Sequence, residues 1–166
     1  MNIFLVDEKP RSCALALDDL RLNKMVLETA QLLAASCFVV GANIGYKVTH
    51  FNHPCAVWAR KNKRNFSWLV EYGLELSQEF YVRRRHSHAS EEVIKRAITH
   101  IPEFPEGLLA FTFNCSGQNS GNIFFDYKEC LRKKWASDIK KPLWTRRSPP
   151  SWSKKDEQPV LDALSS

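Results

Sequence analysis

Residues 17–36, LDDLRLNKMVLETAQLLAAS, contain polar side chains spaced as on one face of a helix. A helix of 3.6 residues per turn brings these positions onto one side. They are Arg21, Lys24, Glu28 and Gln31. On a solvated surface, an ion pair such as Lys24 with Glu28 would contribute only about 0.3–0.5 kcal/mol. In the wall of an active site, Glu28 would act as a general acid, base or electrostatic stabiliser, and the Lys24 amine could serve as a nucleophile.

A second polar cluster lies in the segment YKVTHFNHPCAVW, residues 46–58, before a predicted helix N-terminus. Backbone N–H groups at such a terminus, with polar side chains beside them, can bind an anion. The alternative is a His-Pro turn that only caps and orients the helix. We recognise no set of metal ligands around His50 and His53 in the sequence, so we predict no metal site. The candidate binding residues here are Tyr46, Lys47, Asn52, His53 and Trp58.

Basic residues gather in three further places. The clusters ARKNKR (60, 61, 63 and 64) and RRRH (83–86) are typical of solvated helix surface, and arginines at a helix C-terminus also complement the helix dipole. In KKPLWTRRSPPSW, aromatic and basic residues alternate, so Trp144 could stack on bases while Arg146 and Arg147 contact phosphates. The alternative is a tail that packs Trp144 back onto the domain.

The composition is that of an ordinary globular domain, but the charge is uneven. The chain has 166 residues, 44% hydrophobic and 25% charged, with a net charge of +6. Residues 126–166 carry ten Lys or Arg against six Asp or Glu, which favours a nucleic-acid partner, because neutralising phosphates is a major source of such affinity. The five cysteines are scattered and contain no C-x-x-C pair, which argues against a disulfide framework or a zinc cluster.

Helical periodicity dominates the chain, and we predict an all-α fold. Residues 1–139 are expected to form one compact helical domain, and residues 140–166 a basic, irregular C-terminal arm with tryptophans. No secretory signal or membrane-spanning stretch is recognised, so we expect a monomeric cytoplasmic protein without a cofactor or membrane contact. The predicted helices are 11–17, opened by Pro10; a longer one to Cys37, capped by Asp18 or Asp19; 54–85, with a bend near Asn62; one starting at Ser90; and 126–137.

Two of these segments together carry a family resemblance. LDDLRLNKMVLETAQLL followed by NHPCAVWAR resembles the pyrimidine-dimer DNA glycosylases of phage and bacteria, the endonuclease V-like enzymes, over residues 1–85. The resemblance implies a mostly helical domain that recognises damaged duplex DNA, flips a base, cleaves its N-glycosidic bond and can nick the abasic strand. It places the catalytic glutamate of the family at Glu28 and the basic groups of the same helix near Arg21 and Lys24.

The nucleophile that the resemblance implies is an N-terminal α-amine exposed by removal of methionine. Here Met1 precedes Asn2, which is bulky enough that Met1 is expected to stay. Three alternatives follow: Met1 itself supplies the amine, Lys24 replaces it, or the chain does not carry out this lyase chemistry.

Three functions are consistent with these residues. The first is a DNA glycosylase and abasic-site lyase acting on duplex DNA, with Glu28, Lys24 and Met1 as its catalytic residues. The second is an enzyme that acts on a modified base or a free nucleotide through the same pocket. The third is a nucleic-acid-binding protein without catalysis, in which the stripe is structural and mutations in the arm alone would matter.

Overall fold

The computed structural model describes residues 1–154, and the end of the predicted arm, residues 155–166, lies outside the described part. The all-α prediction is confirmed, because residues 1–154 contain helices and no strand. Within the same residues, no helix is both long and apolar enough to cross a membrane. The helices are α1 (Pro10–Ala16), α2 (Asp19–Cys37), α3 (Pro54–Ala59), α4 (Lys63–Arg84), α5 (Glu91–Ala97) and α6 (Ile123–Ser137).

The starts of α1 and α2 follow the predicted signals. Pro10 occupies the first turn of α1, where its missing N–H costs nothing. Leu17 is extended and ends that helix, and the Asp18 carboxylate then accepts the Arg21 N–H at 3.4 Å as the N-cap of α2. The long helix carrying the polar stripe is therefore positioned by a local cap at its first turn.

The segment predicted as one bent helix consists of two helices. Asn62 is extended and its side chain accepts the Asn65 N–H at 2.9 Å, so it caps a new helix, α4. The Asn65 amide also donates to the Trp58 carbonyl at 2.9 Å. The chain therefore changes direction at Asn62, and both sides of the break are held by side-chain hydrogen bonds.

The core forms where α2 packs against α3, α4 and α5, and where α1 packs against α4. Gly73 of α4 permits a close approach there: a Cβ atom at this position would lie 2.9 Å from Ile94 Cγ2 and 3.1 Å from Thr29 Cγ2. Residues 3–6, before α1, form no strand, yet their side chains are buried in the same core. This burial fixes the first residues of the chain beside α2.

A buried ion network ties the C-terminal end of α4 to the start of α2. The Arg83 side chain is 0% exposed and donates to the Glu79 carboxylate at 2.7 Å, to Asp19 at 3.1 Å and to the Leu17 carbonyl at 2.8 Å. The prediction of a solvated RRRH cluster is therefore wrong for Arg83. Arg83 lies near the end of α4, but α1 and α2 pack over that end. Asp19 comes from α2, and Glu79 lies one turn earlier on α4 itself.

The described part of the arm packs against the same network. Trp144 donates its indole N–H to the Ala16 carbonyl at 3.2 Å and lies edge-on to Trp135, with ring centroids 5.1 Å apart. Arg147 makes two hydrogen bonds of 2.9 Å to Glu79, and Thr145 donates to Asp19. These residues of the arm are therefore attached to the helical domain.

Acid is expected to destabilise this network. Burial alone would raise the pKa of the Glu79 carboxyl, but hydrogen bonds from Arg147 and Arg83 outweigh it and hold the pKa below its ordinary value. For Asp19, hydrogen bonds from Thr145 and Arg83 likewise outweigh burial and lower the pKa. The stabilisation is complete above the unfolded-state pKa values of about 4 and is lost as the pH falls through the lower folded-state values.

Urea unfolding between pH 7 and pH 3 measures this effect. Glu79→Gln is expected to unfold at lower urea than the wild type at pH 7 and to show a shallower loss of stability below pH 5. The control Glu75→Gln removes a carboxylate that pairs with the exposed Arg11 and should retain the wild-type slope. An unchanged slope for Glu79→Gln would contradict the prediction.

Candidate active site

A pocket of about 250 Å³ opens between the N-terminal residues and the polar face of α2. Three of the predicted stripe residues, Arg21, Lys24 and Glu28, line it together with Met1. Gln31, one turn further along α2, is half-buried and lies outside this lining. The remaining lining residues are Asn2, Phe4, Leu20, Met25 and Lys134.

The Glu28 carboxylate faces the first two backbone nitrogens of the chain. Its Oε2 accepts the Asn2 N–H at 2.9 Å, and the Met1 α-amine lies 3.7 Å from the same oxygen. On the other side, Lys24 Nζ is 3.8 Å from Oε1. The Glu28 side chain is only 10% exposed, while that of Lys24 is 67% exposed. The amine and the carboxylate are thus close together in a partly enclosed site, and Lys24 lies at its edge.

Asn2 holds the N-terminal residues in this position. Its side-chain oxygen accepts the Ile3 N–H at 2.8 Å and the Tyr127 hydroxyl at 3.2 Å. The same hydroxyl accepts the Cys115 N–H at 2.9 Å. The start of the chain is therefore linked through Tyr127 to α6 and to the loop before it.

Arg21 lines the pocket, but its guanidinium is occupied by carboxylates. It makes two hydrogen bonds to Asp138, at 2.8 and 3.0 Å, and one of 3.0 Å to Asp18. This fork-like pairing is a strong geometry for arginine. In this conformation Arg21 joins α2 to the residue that follows α6, and it offers no free fork to a phosphate.

His53 lies next to this site at the N-terminus of α3. Its Nδ1 accepts the Cys55 N–H at 3.2 Å, so it caps the helix. Burial lowers the pKa of His53, and the positive charge of the Met1 amine acts in the same direction. The imidazole is therefore neutral at pH 7 and can accept or donate a proton.

The other binding candidates lie away from the pocket lining. The Tyr46 hydroxyl is 2.8 Å from the Ser90 hydroxyl, and the side chains of Lys47 and Asn52 are exposed. Trp58 is 2% exposed and donates to the Ala110 carbonyl at 2.6 Å, within an aromatic part of the core. In the arm, Trp144 and Arg147 have the intramolecular partners described above, and Arg146 donates to the Arg83 carbonyl.

Several residues of this site were missed in the sequence. Asn2, Tyr127 and Lys134 carry no local motif, and Tyr127 is 125 residues from its partner Asn2. Cys55 follows His53 by two residues, which is a usable signal for a ligand pair. The Cys115 side chain lies beside these two residues, and it comes from a loop whose position only the tertiary structure reveals.

Residues 1–93 match the pyrimidine dimer DNA glycosylase family. The match covers more than half of the chain, and the chain therefore belongs to this family. The resemblance noted over residues 1–85 is confirmed, and the matched part contains Met1, Glu28 and His53. No curated protein and no solved structure matched the chain. At the level of the family, the function is that of a pyrimidine-dimer DNA glycosylase, and the substrate is DNA.

Proposed function

We propose that this chain removes a damaged or modified pyrimidine base from duplex DNA through an imine between the Met1 α-amine and the C1′ atom of the sugar. The observation that carries the proposal is the Met1 amine lying 3.7 Å from Glu28 Oε2 in the pocket. A primary amine beside a carboxylate is the arrangement that amine-nucleophile catalysis needs, because the carboxylate can take up the proton that masks the lone pair.

The proton transfers in this reaction can all be assigned to the amine and Glu28. Glu28 first takes a proton from the ammonium group of Met1, and the free amine attacks C1′. The electron pair of the N-glycosidic bond leaves with the base, which takes the second proton from the attacking nitrogen. Glu28 then returns its proton to the ring oxygen O4′ as the sugar opens, leaving a protonated imine and an ionised carboxylate.

Glu28 also supports the reaction electrostatically. Positive charge develops on the sugar as the base leaves. A carboxylate held in place in a partly buried site stabilises this charge, because its own position does not have to change during the reaction. The hydrogen bond of 2.9 Å that the Asn2 N–H donates to Glu28 Oε2 fixes the carboxylate in position. Because Glu28 lies within a helix capped by Asp18, its backbone is also fixed.

The mouth of the pocket suits a DNA backbone. Lys24 and Lys134 are exposed and line the opening, where they can neutralise phosphates beside an extruded nucleotide. Leu20 is 65% exposed at the same opening. An apolar side chain in this place can insert between base steps and favour extrusion of the base.

Borohydride trapping tests the proposal. Purified protein is incubated with duplexes that carry a cyclobutane pyrimidine dimer, an abasic site or an undamaged sequence, and is then reduced with sodium borohydride. We expect a covalent protein–DNA complex with the dimer and the abasic duplex only, because reduction fixes the imine. Peptide mapping by mass spectrometry should place the adduct on the Met1 amine.

Two controls make this experiment decisive. Intact mass of the same preparation determines whether Met1 is retained. N-terminal acetylation of the protein should abolish trapping, whereas the Lys24→Arg substitution should leave trapping unchanged. An adduct on Lys24 would contradict the assignment of the nucleophile. An adduct on Asn2, after loss of Met1, would move the nucleophile by one residue, and no adduct with either duplex would overturn the reaction.

A further inference from the structure

Three potential metal ligands meet beside the N-terminal residues. The donor atoms of His53, Cys55 and Cys115 all lie within 4.8 Å of one another. His53 and Cys55 come from the start of α3, whereas Cys115 comes from the loop before α6. The cluster therefore joins two parts of the chain that lie about sixty residues apart in the sequence.

The positions of these side chains are set by other contacts. The His53 Nδ1 is used by the Cys55 N–H at 3.2 Å, which leaves Nε2 as the ring nitrogen for a ligand. The Cys115 backbone is held by the Tyr127 hydroxyl at 2.9 Å. Cys55 is fully buried, and Cys115 is half-buried. The three donors thus lie close together, and Cys115 is partly exposed to solvent.

The distances are close to those of a tetrahedral metal site. Bonds of about 2.3 Å from zinc to sulfur and about 2.0 Å to nitrogen imply donor atoms roughly 3.5–3.8 Å apart. The donor atoms, all within 4.8 Å of one another, need to approach by at most about 1 Å to reach this range.

We infer that His53, Cys55 and Cys115 form a binding site for a soft divalent cation of the zinc class, with water as the fourth ligand. Two thiolates and an imidazole select such an ion over magnesium or calcium, which prefer oxygen ligands. The bound ion would attach the loop before α6 to α3, next to Met1 and Asn2. The inference does not depend on the proposed excision reaction, since it rests on the ligand set alone.

Metal titration of the full chain tests the inference. The protein is reduced, treated with a chelator, freed of both reagents and titrated with Zn²⁺ against a chromophoric competitor. We expect one equivalent to bind. A parallel titration with Co²⁺ should produce a thiolate-to-metal charge-transfer band and the intense visible bands of a tetrahedral site.

Variants assign the ligands. Cys115→Ser and His53→Ala should each weaken Zn²⁺ binding by about 100-fold or more and remove the tetrahedral Co²⁺ spectrum. Cys130→Ser on α6 and His100→Ala are the matched controls, because neither residue belongs to the cluster, and both should bind like the wild type. Circular dichroism without metal checks that each variant is folded.

Three outcomes would overturn the site. These are the absence of stoichiometric binding, an octahedral Co²⁺ spectrum, and wild-type affinity in a folded Cys115→Ser protein. If His53→Ala fails to fold, Cys115→Ser still decides, because Cys115 lies in a half-buried loop position where serine is tolerated sterically.

Discussion

Glu28→Gln is expected to lower the rate of base excision by about 10²–10⁴-fold and to leave the protein folded. Glutamine keeps the size of the side chain. Its carbonyl oxygen can still accept the Asn2 N–H, which in the wild type lies 2.9 Å from Glu28 Oε2. It cannot take up the proton of the Met1 ammonium group, nor does it carry the negative charge that stabilises the developing cation on the sugar. The loss should therefore fall on the chemical step.

Single-turnover kinetics on a dimer-containing duplex measure this loss, with duplex affinity measured in parallel. The affinity for the duplex should change by less than tenfold. The Glu28 carboxylate is negatively charged and does not attract phosphates, so removing its charge does not remove a binding contact. Lys24→Gln is the matched control, since Lys24 is 67% exposed and 3.8 Å from Glu28; its rate should stay within about tenfold of the wild type. A Glu28→Gln protein with a wild-type rate of excision would show that the polar face of α2 has a structural role only.

Arg83→Met is expected to lower the free energy of unfolding by about 3–5 kcal/mol, the typical cost of removing one partner from a buried ion pair. The substitution leaves Asp19 and Glu79 with fewer donors in a buried environment and removes a hydrogen bond to the Leu17 carbonyl. Methionine fills much of the arginine volume, so the effect reports the lost charge and hydrogen bonds more than a cavity.

Denaturant unfolding at pH 7 measures the difference. The neighbouring Arg84→Met serves as control, because the Arg84 side chain is 42% exposed and lies 3.9 Å from Asp19, which is longer than a hydrogen bond. Its effect on the free energy of unfolding should be below about 1 kcal/mol. Equal effects of the two substitutions would show that the burial of Arg83 does not determine its contribution. A loss below about 1 kcal/mol for Arg83→Met would contradict the prediction.

The helices were predictable where a local signal exists. Pro10 and Asp18 mark the starts of α1 and α2, and both signals act within one helical turn. The segment around Asn62 was less clear, because an apolar stripe continues across it and only the capping hydrogen bond to Asn65 separates α3 from α4.

The sequence by itself determined the helical class of this protein and the alignment of Lys24 with Glu28, because helical periodicity depends on residues three or four positions apart. It also carried the family resemblance that selects Glu28 as the candidate carboxylate. Only the tertiary structure decided what Glu28 faces, since the Asn2 N–H comes from 26 residues away. Likewise, Arg21 meets Asp138 across 117 residues, and Cys115 joins His53 through loop packing. Contacts of this range depend on how the helices pack, and no local spacing encodes them.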